Sequence, residues 1–304
     1  MLVRAPFRVV VRTLVGCRSG LRLVNVVHRH LSPRGRRRFF HLCCDERWRV
    51  EGRWSVDFAG RRLVLPLARD FGDAWLAAIG FHGYDPEVHA LYEALVRGRN
   101  PPRVVFDVGA SYGLHALRFL IHGARVIAFE PNPYCHRWFR GWCAANHVAC
   151  ELEPVAVGDG CGRVVLAFPE GRTYLGSIVR DVRAAWRGPV RTLTVPQVAL
   201  DSVIAARGVV PDLVKIDTEG AELAVLRGAV DLLGTVQPTL IFEAWPNADV
   251  RRALWNLLDE HGYHIAAIDG ARPRALTRAA FCGAHATNFL AEVPPGRVIH
   301  SARQ

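Results

Sequence analysis

From Arg103 onward the chain alternates short, mostly apolar runs with helix-length stretches, and most of the runs end on a carboxylate. Runs that are apolar throughout suit strands covered on both faces. The strand candidates are 104–108, 125–129, 152–157, 213–217 and 239–243, with later ones at 264–268 and 287–291. Helices fit between them at 114–122, 134–146, 202–206, 221–233 and 249–261, while β-like segments at 164–168 and 191–195 interrupt the third crossover. This order constrains the chain to an α/β fold with one doubly wound, mostly parallel sheet.

Ligands of such sheets bind beyond the carboxyl ends of the strands. Those ends read FDVGASYGLH, AFEPN, VAVGD, VKIDTEGAE and IFEAW, which puts Asp107, Glu130, Asp159, Asp217 and Glu243 there in turn. Packing disfavours carboxylates so near a core, so five in sequence point to a ligand. The first loop has the nucleotide-binding form, with Gly109 for the turn and Gly113 for close approach of the helix; an ordinary strand-to-helix turn could use glycines the same way. Glu130 lies 23 residues after Asp107, where an acid binds ribose hydroxyls. A dinucleotide would set its pyrophosphate on this loop, but Asp107 would repel it and the GxGxxG spacing is absent. A ligand with a cationic amino-acid portion would want that carboxylate. S-adenosylmethionine is one, with its ammonium near Asp107, its ribose on Glu130 and its adenine near Asp159.

The fourth strand end holds a compositional anomaly. Lys215 is the sole lysine; the other 38 of the 39 basic residues are arginine. Strand alternation puts Leu213, Lys215 and Asp217 on one face and Val214 and Ile216 on the other. A buried ammonium beneath Asp217 persists only if paired, and it would keep that acid ionised among Glu219 and Glu222. Arginine's wide fork needs more room. Acids in a first helical turn also suit the helix dipole, and this is the reading adopted for Glu222. Candidate bases for the reaction are Asp217, Glu219 and His115, although His115 could equally be a first-turn residue facing the sheet. Oxygen ligands from Asp217, Glu219 and Glu243 could hold a divalent ion. Lys215 already supplies positive charge there, so no metal is expected.

Charge is unevenly spread. Residues 1–63 carry 15 arginines and four acids, whereas the remaining chain is balanced, and a nucleic-acid enzyme would carry basic character around its site. No nucleic-acid partner is therefore expected. Residues 1–40 contain ten arginines and no acid, and read as a basic amphipathic helix able to make a peripheral contact with anionic lipid. A targeting segment, or a helix packed on the body of the protein, would use the same residues. No run is long and apolar enough to span a bilayer. Residues 41–100 read as a cap, with a hairpin over 47–67 that has Gly52 and Gly60 as turn points and a helix over 85–96 that has Asp85 as N-cap and Pro86 next. A catalytic domain over 101–294 and a tail over 295–304 complete the organisation. Eight cysteines show no metal-binding spacing and read as small buried residues of a reducing cytoplasm.

The motifs FDVGASYGLHAL, AFEPNP, VAVGD, TVPQVALDSV, LVKIDTEGAELAVLRGA, IFEAW and TNFLAE resemble, in order and spacing, the FkbM-type S-adenosylmethionine-dependent methyltransferases. The resemblance covers about residues 75–293 and is most specific over 215–229. It implies a class I Rossmann-like methyltransferase fold and methyl transfer to a hydroxyl of a sugar, glycolipid or polyketide-like small molecule. Residue by residue, it implies that Asp107, Gly109, Ser111 and Gly113 lie on the first cofactor motif, Glu130 on the ribose acid and Asp159 on the third-strand acid. Lys215, Asp217, Glu219 and Glu222 match the fourth-strand signature. Ser111 stands where asparagine is usual and Ala116 where a hydroxyl residue is usual. A nicotinamide-dependent oxidoreductase and a non-catalytic, membrane-associated binding protein on the same fold are the competing expectations.

Overall fold

The computed structural model describes residues 4–294 apart from 46, 71, 150 and 271. The tail expected over 295–304 lies outside the described residues. The described chain divides into two compact units, one of residues up to 102, 110–126 and 133–151, the other of 103–109, 127–132 and 152 onward.

The first unit opens with α1 (Arg4–Val15), α2 (Arg18–His30) and α3 (Pro33–Cys43). The single basic helix expected over 1–40 is instead three short ones. The first break falls at Gly16 and Cys17; at the second, Ser32 accepts a hydrogen bond from Gly35 N, with Pro33 at the first helical position. Gly20 allows α2 to press on α1, since a Cβ there would lie 2.2 Å from Leu14 O. β1 (Gly52–Phe58) and β2 (Arg61–Leu67) form the expected antiparallel hairpin. Its two-residue turn, Ala59-Gly60, has φ of 48° and 86°, the left-handed geometry that matches strand twist. Alternate residues Trp54, Val56 and Phe58 are buried, and Trp54 meets Trp75 edge to face at 5.3 Å. Asn25 of α2 acts as an extra pairing partner for β1, donating to Ser55 O and accepting from Ser55 N.

α4 (Gly72–Gly83) and α5 (Pro86–Arg97) follow. Pro86 opens α5 as expected, but Asp85 does not cap it. Its φ of 43° is left-handed, whereas a capping side chain needs an extended backbone to reach the first free N–H groups.

Beyond α5 the chain runs β3 (Val104–Val108), α6 (Leu114–Leu120), β4 (Arg125–Phe129), α7 (Pro133–Ala145) and β5 (Glu151–Glu153). It continues as β6 (Ala156–Val157), β7 (Gly162–Pro169), α8 (Arg180–Ala184), β8 (Val190–Val198), α9 (Leu200–Arg207) and β9 (Leu213–Ile216). Next come α10 (Glu222–Arg227), α11 (Val230–Thr235), β10 (Thr239–Glu243) and α12 (Ala248–Glu260). β11 (His264–Ala267), β12 (Arg274–Ala275), α13 (Arg278–Cys282) and β13 (Asn288–Glu292) end the described part.

The main sheet has the order β12-β11-β13-β10-β9-β3-β4-β5. β9 is parallel to both β3 and β10, whereas β13 runs antiparallel to β10 and β11. This is the α/β, mostly parallel architecture expected of a class I Rossmann-like methyltransferase. Phe106, Val214, Ile216 and Phe242 share one buried cluster with Val225, Leu226, Leu254 and Leu258. The cluster takes the residues that alternate with Asp107 and Lys215.

Two expected elements are divided. The strand expected over 152–157 becomes β5 and β6, separated at Pro154, which has no N–H to give a ladder. β6 joins a separate sheet of order β6-β8-β7, where β7 and β8 are the two segments that interrupt the third crossover. The helix expected over 221–233 becomes α10 and α11, parting at Gly228, where a Cβ would lie 2.0 Å from Gly158 O. Asp201 fixes this break by accepting from the N–H groups of Asp231 and Leu232.

Candidate active site

The central feature is built by adjacent parallel strands. β3 and β9 pair Asp107 with Lys215 in register, so both side chains leave the same face. Lys215 Nζ lies 3.8 Å from Asp107 Oδ1 and donates to Asp217 Oδ2 at 3.1 Å. Asp107 and Lys215 are buried, whereas the Asp217 side chain keeps about a third of its surface exposed. Burial pulls the lysine pKa down, but the charges of Asp217 and then Asp107 outweigh it and leave the pKa raised. The ammonium expected beneath Asp217 is thus present, with a second acid as partner.

The backbone around this group is tightly drawn. Asp217 N donates to Val108 O at 3.0 Å, and Gly109 N donates to Phe129 O at 3.0 Å. Gly109 has φ of 77°, and a Cβ there would lie 1.8 Å from Asp217 O. Only glycine permits this approach of the first loop to the fourth strand end.

Glu219 and Glu243 extend the acidic group. Glu219 has φ of 55° and its carbonyl accepts from Ser177 Oγ at 2.7 Å. Burial first, then the charges of Asp217 and Glu222, push its carboxyl up to about 8. Glu243 ends β10; burial, followed by Asp217 and Glu219, pushes it up to about 9. Glu222 acts on this group through its charge, but its carboxylate is tied to the start of α10. Its Oε1 accepts from Thr218 N, Thr218 Oγ1 and Gly220 N, closing the start of α10, which agrees with the helix reading of that residue.

Glu130 lies just past β4 and is buried; its Oε1 accepts from Asn132 N at 2.7 Å, and its own N–H donates to Glu153 O. Asn132 is fully buried, and its side chain donates to Thr173 O. Asp159 is exposed and follows β6 of the smaller sheet, not a strand of the main one. Ser111, Gly113 and His115 belong to the first unit. Ser111 has φ of 50°, and Gly113 makes its close approach to the Phe139 ring of α7, which a Cβ would meet at 2.0 Å. His115 Nδ1 shares a hydrogen bond with Tyr92 Oη at 3.0 Å.

Two positions gain a role here that the sequence does not assign them. Glu243 is weighed in the sequence only as an oxygen ligand for a metal that is not expected; its position in the series of strand-end acids is the signal for a place in the site. Arg251 of α12 is fully buried and donates to the carbonyls of Ala244, Trp245, Phe281, Ala284 and Ala286, fixing the segment that follows Glu243. Nothing in a chain so rich in arginine singled it out.

Residues 107–265, more than half of the chain, match the Methyltransferase FkbM domain. A relative, methyltransferase sdnD of Sordaria araneosa, is 24% identical over 194 residues, covering 53% of this chain and 73% of its own. Among solved structures, methyltransferase FkbM of Methylobacillus flagellatus KT is 17% identical with a TM-score of 0.44, covering 73% of this chain. This chain spans only 54% of the length of that one. A SAM-dependent methyltransferase of Agrobacterium tumefaciens is 12% identical with a TM-score of 0.42, covering 81% of this chain and 71% of its own. On the domain match, this chain belongs to the FkbM family of methyltransferases.

Proposed function

We propose that this chain is an O-methyltransferase that uses S-adenosylmethionine as methyl donor and a hydroxyl of a sugar, glycolipid or polyketide-like small molecule as acceptor. The observation that carries the reading is the Asp107–Lys215–Asp217 linkage at neighbouring strand ends. Buried Asp107 and Glu130 supply acceptor oxygens of the kind that the donor's ammonium and ribose hydroxyls need. Ser111, Gly113 and Asp159 complete the assignment made from the motifs. When bound, S-adenosylmethionine supplies an electrophilic methyl group.

The work left to the protein is alignment, exclusion of water and proton removal. Asp217 is the partly exposed carboxylate, oriented by the Lys215 ammonium, and in this reading it takes the acceptor's proton. Glu219 and Glu243, with raised pKa values, retain their protons near neutral pH and donate hydrogen bonds to the acceptor. His115 is the alternative base. No metal is part of the reading, since Lys215 supplies the local positive charge. The balanced charge beyond residue 63 favours a small acceptor over nucleic acid. A cytoplasmic location, with peripheral membrane contact through residues 1–40, belongs to the same proposal, as does the division into a cap over 41–100 and a catalytic domain over 101–294.

Calorimetric titration with S-adenosylhomocysteine tests this. Binding is expected to be lost in Asp107→Ala and weakened in Glu130→Ala, and labelled methyl should pass to a hydroxyl-bearing metabolite or glycolipid. Tighter binding of NADH would support the oxidoreductase reading instead. Cofactor binding without any transfer would support the non-catalytic one.

A further inference from the structure

The first two helices present an unusual outer surface. Val11, Val15, Leu21 and Val24 already bury their inner faces, yet Val9, Val10, Leu23, Val26 and Val27 are each 50–64% exposed. On α2, Leu23, Val26 and Val27 fall at spacings of three and four, so they form one continuous stripe. A helix apolar on its outer as well as its inner side normally has a second apolar neighbour.

Charge identifies what that neighbour is. The first 44 residues contain ten arginines and no acid. Some of these arginines are satisfied inside the unit: Arg8 binds Asp45 and Arg29 binds Asp57. Arg12 and Arg22 are exposed and have no ion pair among the described residues. Arg18 and Arg22 sit one turn apart beside the α2 stripe, and Arg12 adjoins Val9 on α1. Nucleic acid would use the cations but leave the valines and leucine in water. A neutral apolar protein face would leave the guanidinium groups without counter-charge. Anionic lipid satisfies both, with phosphates for the arginines and the headgroup–acyl boundary for the stripe. No helix of the described residues is long and apolar enough to cross a membrane, so the contact lies on the surface.

We propose that the outer face of α1 and α2, with Val9, Val10, Leu23, Val26 and Val27 as apolar contacts and Arg12 and Arg22 as phosphate contacts, seats the chain on an anionic bilayer. This rests on the membrane-contact part of the proposed function and gives the expected anionic-lipid contact a defined surface.

The full chain should co-sediment with vesicles of phosphatidylglycerol and phosphatidylcholine but not with pure phosphatidylcholine. Binding should fall at least tenfold as salt is raised, because screening shortens to ~3 Å at 1 M. The double variants Leu23→Ser/Val27→Ser and Arg12→Glu/Arg22→Glu should each lose at least tenfold in vesicle affinity. Both should keep the parent melting temperature and the parent affinity for S-adenosylhomocysteine, so loss of vesicle binding is separable from failure of the methyltransferase reading. Equal sedimentation with neutral vesicles, or undiminished binding in either variant, overturns the proposal. So does a dimer of the parent chain in sedimentation velocity that Leu23→Ser/Val27→Ser converts to monomer, since the stripe would then be an interface between copies.

Discussion

Lys215 Nζ donates to Asp217 Oδ2 across 3.1 Å, linking two residues of one strand end, and the same nitrogen lies 3.8 Å from Asp107 on the neighbouring strand. One compact cation therefore serves two acids that face the same side of the sheet. An ammonium on a thin stem fits between them, whereas a planar guanidinium must spread its donors.

Replacing Lys215 by methionine should strand both acids and cost ~3–5 kcal/mol of stability, with transfer nearly abolished. Lys215→Arg keeps the charge and tests the fit. It is expected to lower the melting temperature and turnover as well, because its fork displaces the strand end that Asp217 N anchors to Val108 O. A Lys215→Arg chain with parental melting temperature and turnover would show that the single lysine is an accident of composition.

Glu219 and Glu243 give a pH dependence of definite sign. An unfolded glutamate titrates at ~4.3. In the fold these two hold their protons up to about 8 and about 9. Between those limits the native state binds more protons, so stability is greatest at the acid end, falls as pH rises through the folded values and then levels off. Buried His28 and His82 act in the opposite sense, but below about 6.5. Melting temperature should therefore decline from pH 7 to 9.5, and Glu219→Gln and Glu243→Gln should each flatten that decline. Slopes identical to the parent would exclude these two residues as its source.

The parts legible in the sequence are those set by local pattern. Strands buried on both faces announce themselves as apolar runs, so β3, β4 and β10 match their expected spans residue for residue. Alternation within β9 was enough to put Lys215 beneath Asp217, and the first-turn position of Glu222 was enough to assign it to the helix. Asp107 as a second partner of Lys215 depends on register between strands 108 residues apart, which no local pattern encodes. Pro154 is the local signal for the break between β5 and β6, because it has no N–H to give to a ladder. The single helix expected over 1–40 fails because one helical phase cannot run through Gly16 and Ser32, where the chain breaks into α1, α2 and α3. Within the resulting helices Val11, Val15 and Val24 are core, whereas Val9, Val10, Val26 and Val27 are exposed.

Gly109→Ala separates backbone conformation from close approach. The left-handed φ of 77° alone costs an alanine ~1–2 kcal/mol. The overlap with Asp217 O adds a displacement of the fourth strand end, for ~1–3 kcal/mol more. Gly171→Ala is the control, with φ of 82° and nothing within 4 Å of the added carbon. Urea unfolding should show a larger loss at 109 than at 171, and only the first variant should lose affinity for S-adenosylhomocysteine. Equal losses at the two sites would mean that the approach to Asp217 is not a constraint.

Arg251 poses the converse of the lysine question. Its guanidinium donates to five carbonyls from the segments 244–245 and 281–286, and it lies over the rings of Phe281 and Phe289 at 5.7 and 5.2 Å. A lysine has three donors and no plane to stack, so Arg251→Lys should leave at least two buried carbonyls unmet. Each such group costs ~1–3 kcal/mol. Two of the five carbonyls, those of Ala244 and Trp245, follow Glu243 at the end of β10. Arg251→Lys is therefore expected to lower the melting temperature strongly. At temperatures where it stays folded, it should raise the acceptor KM more than it weakens S-adenosylhomocysteine binding. The chain's two oppositely chosen cations, lysine at 215 and arginine at 251, would then each be shown to depend on shape as well as charge. A lysine at 251 that preserves both stability and KM would mean that this hydrogen-bonded centre does not hold the strand end in place.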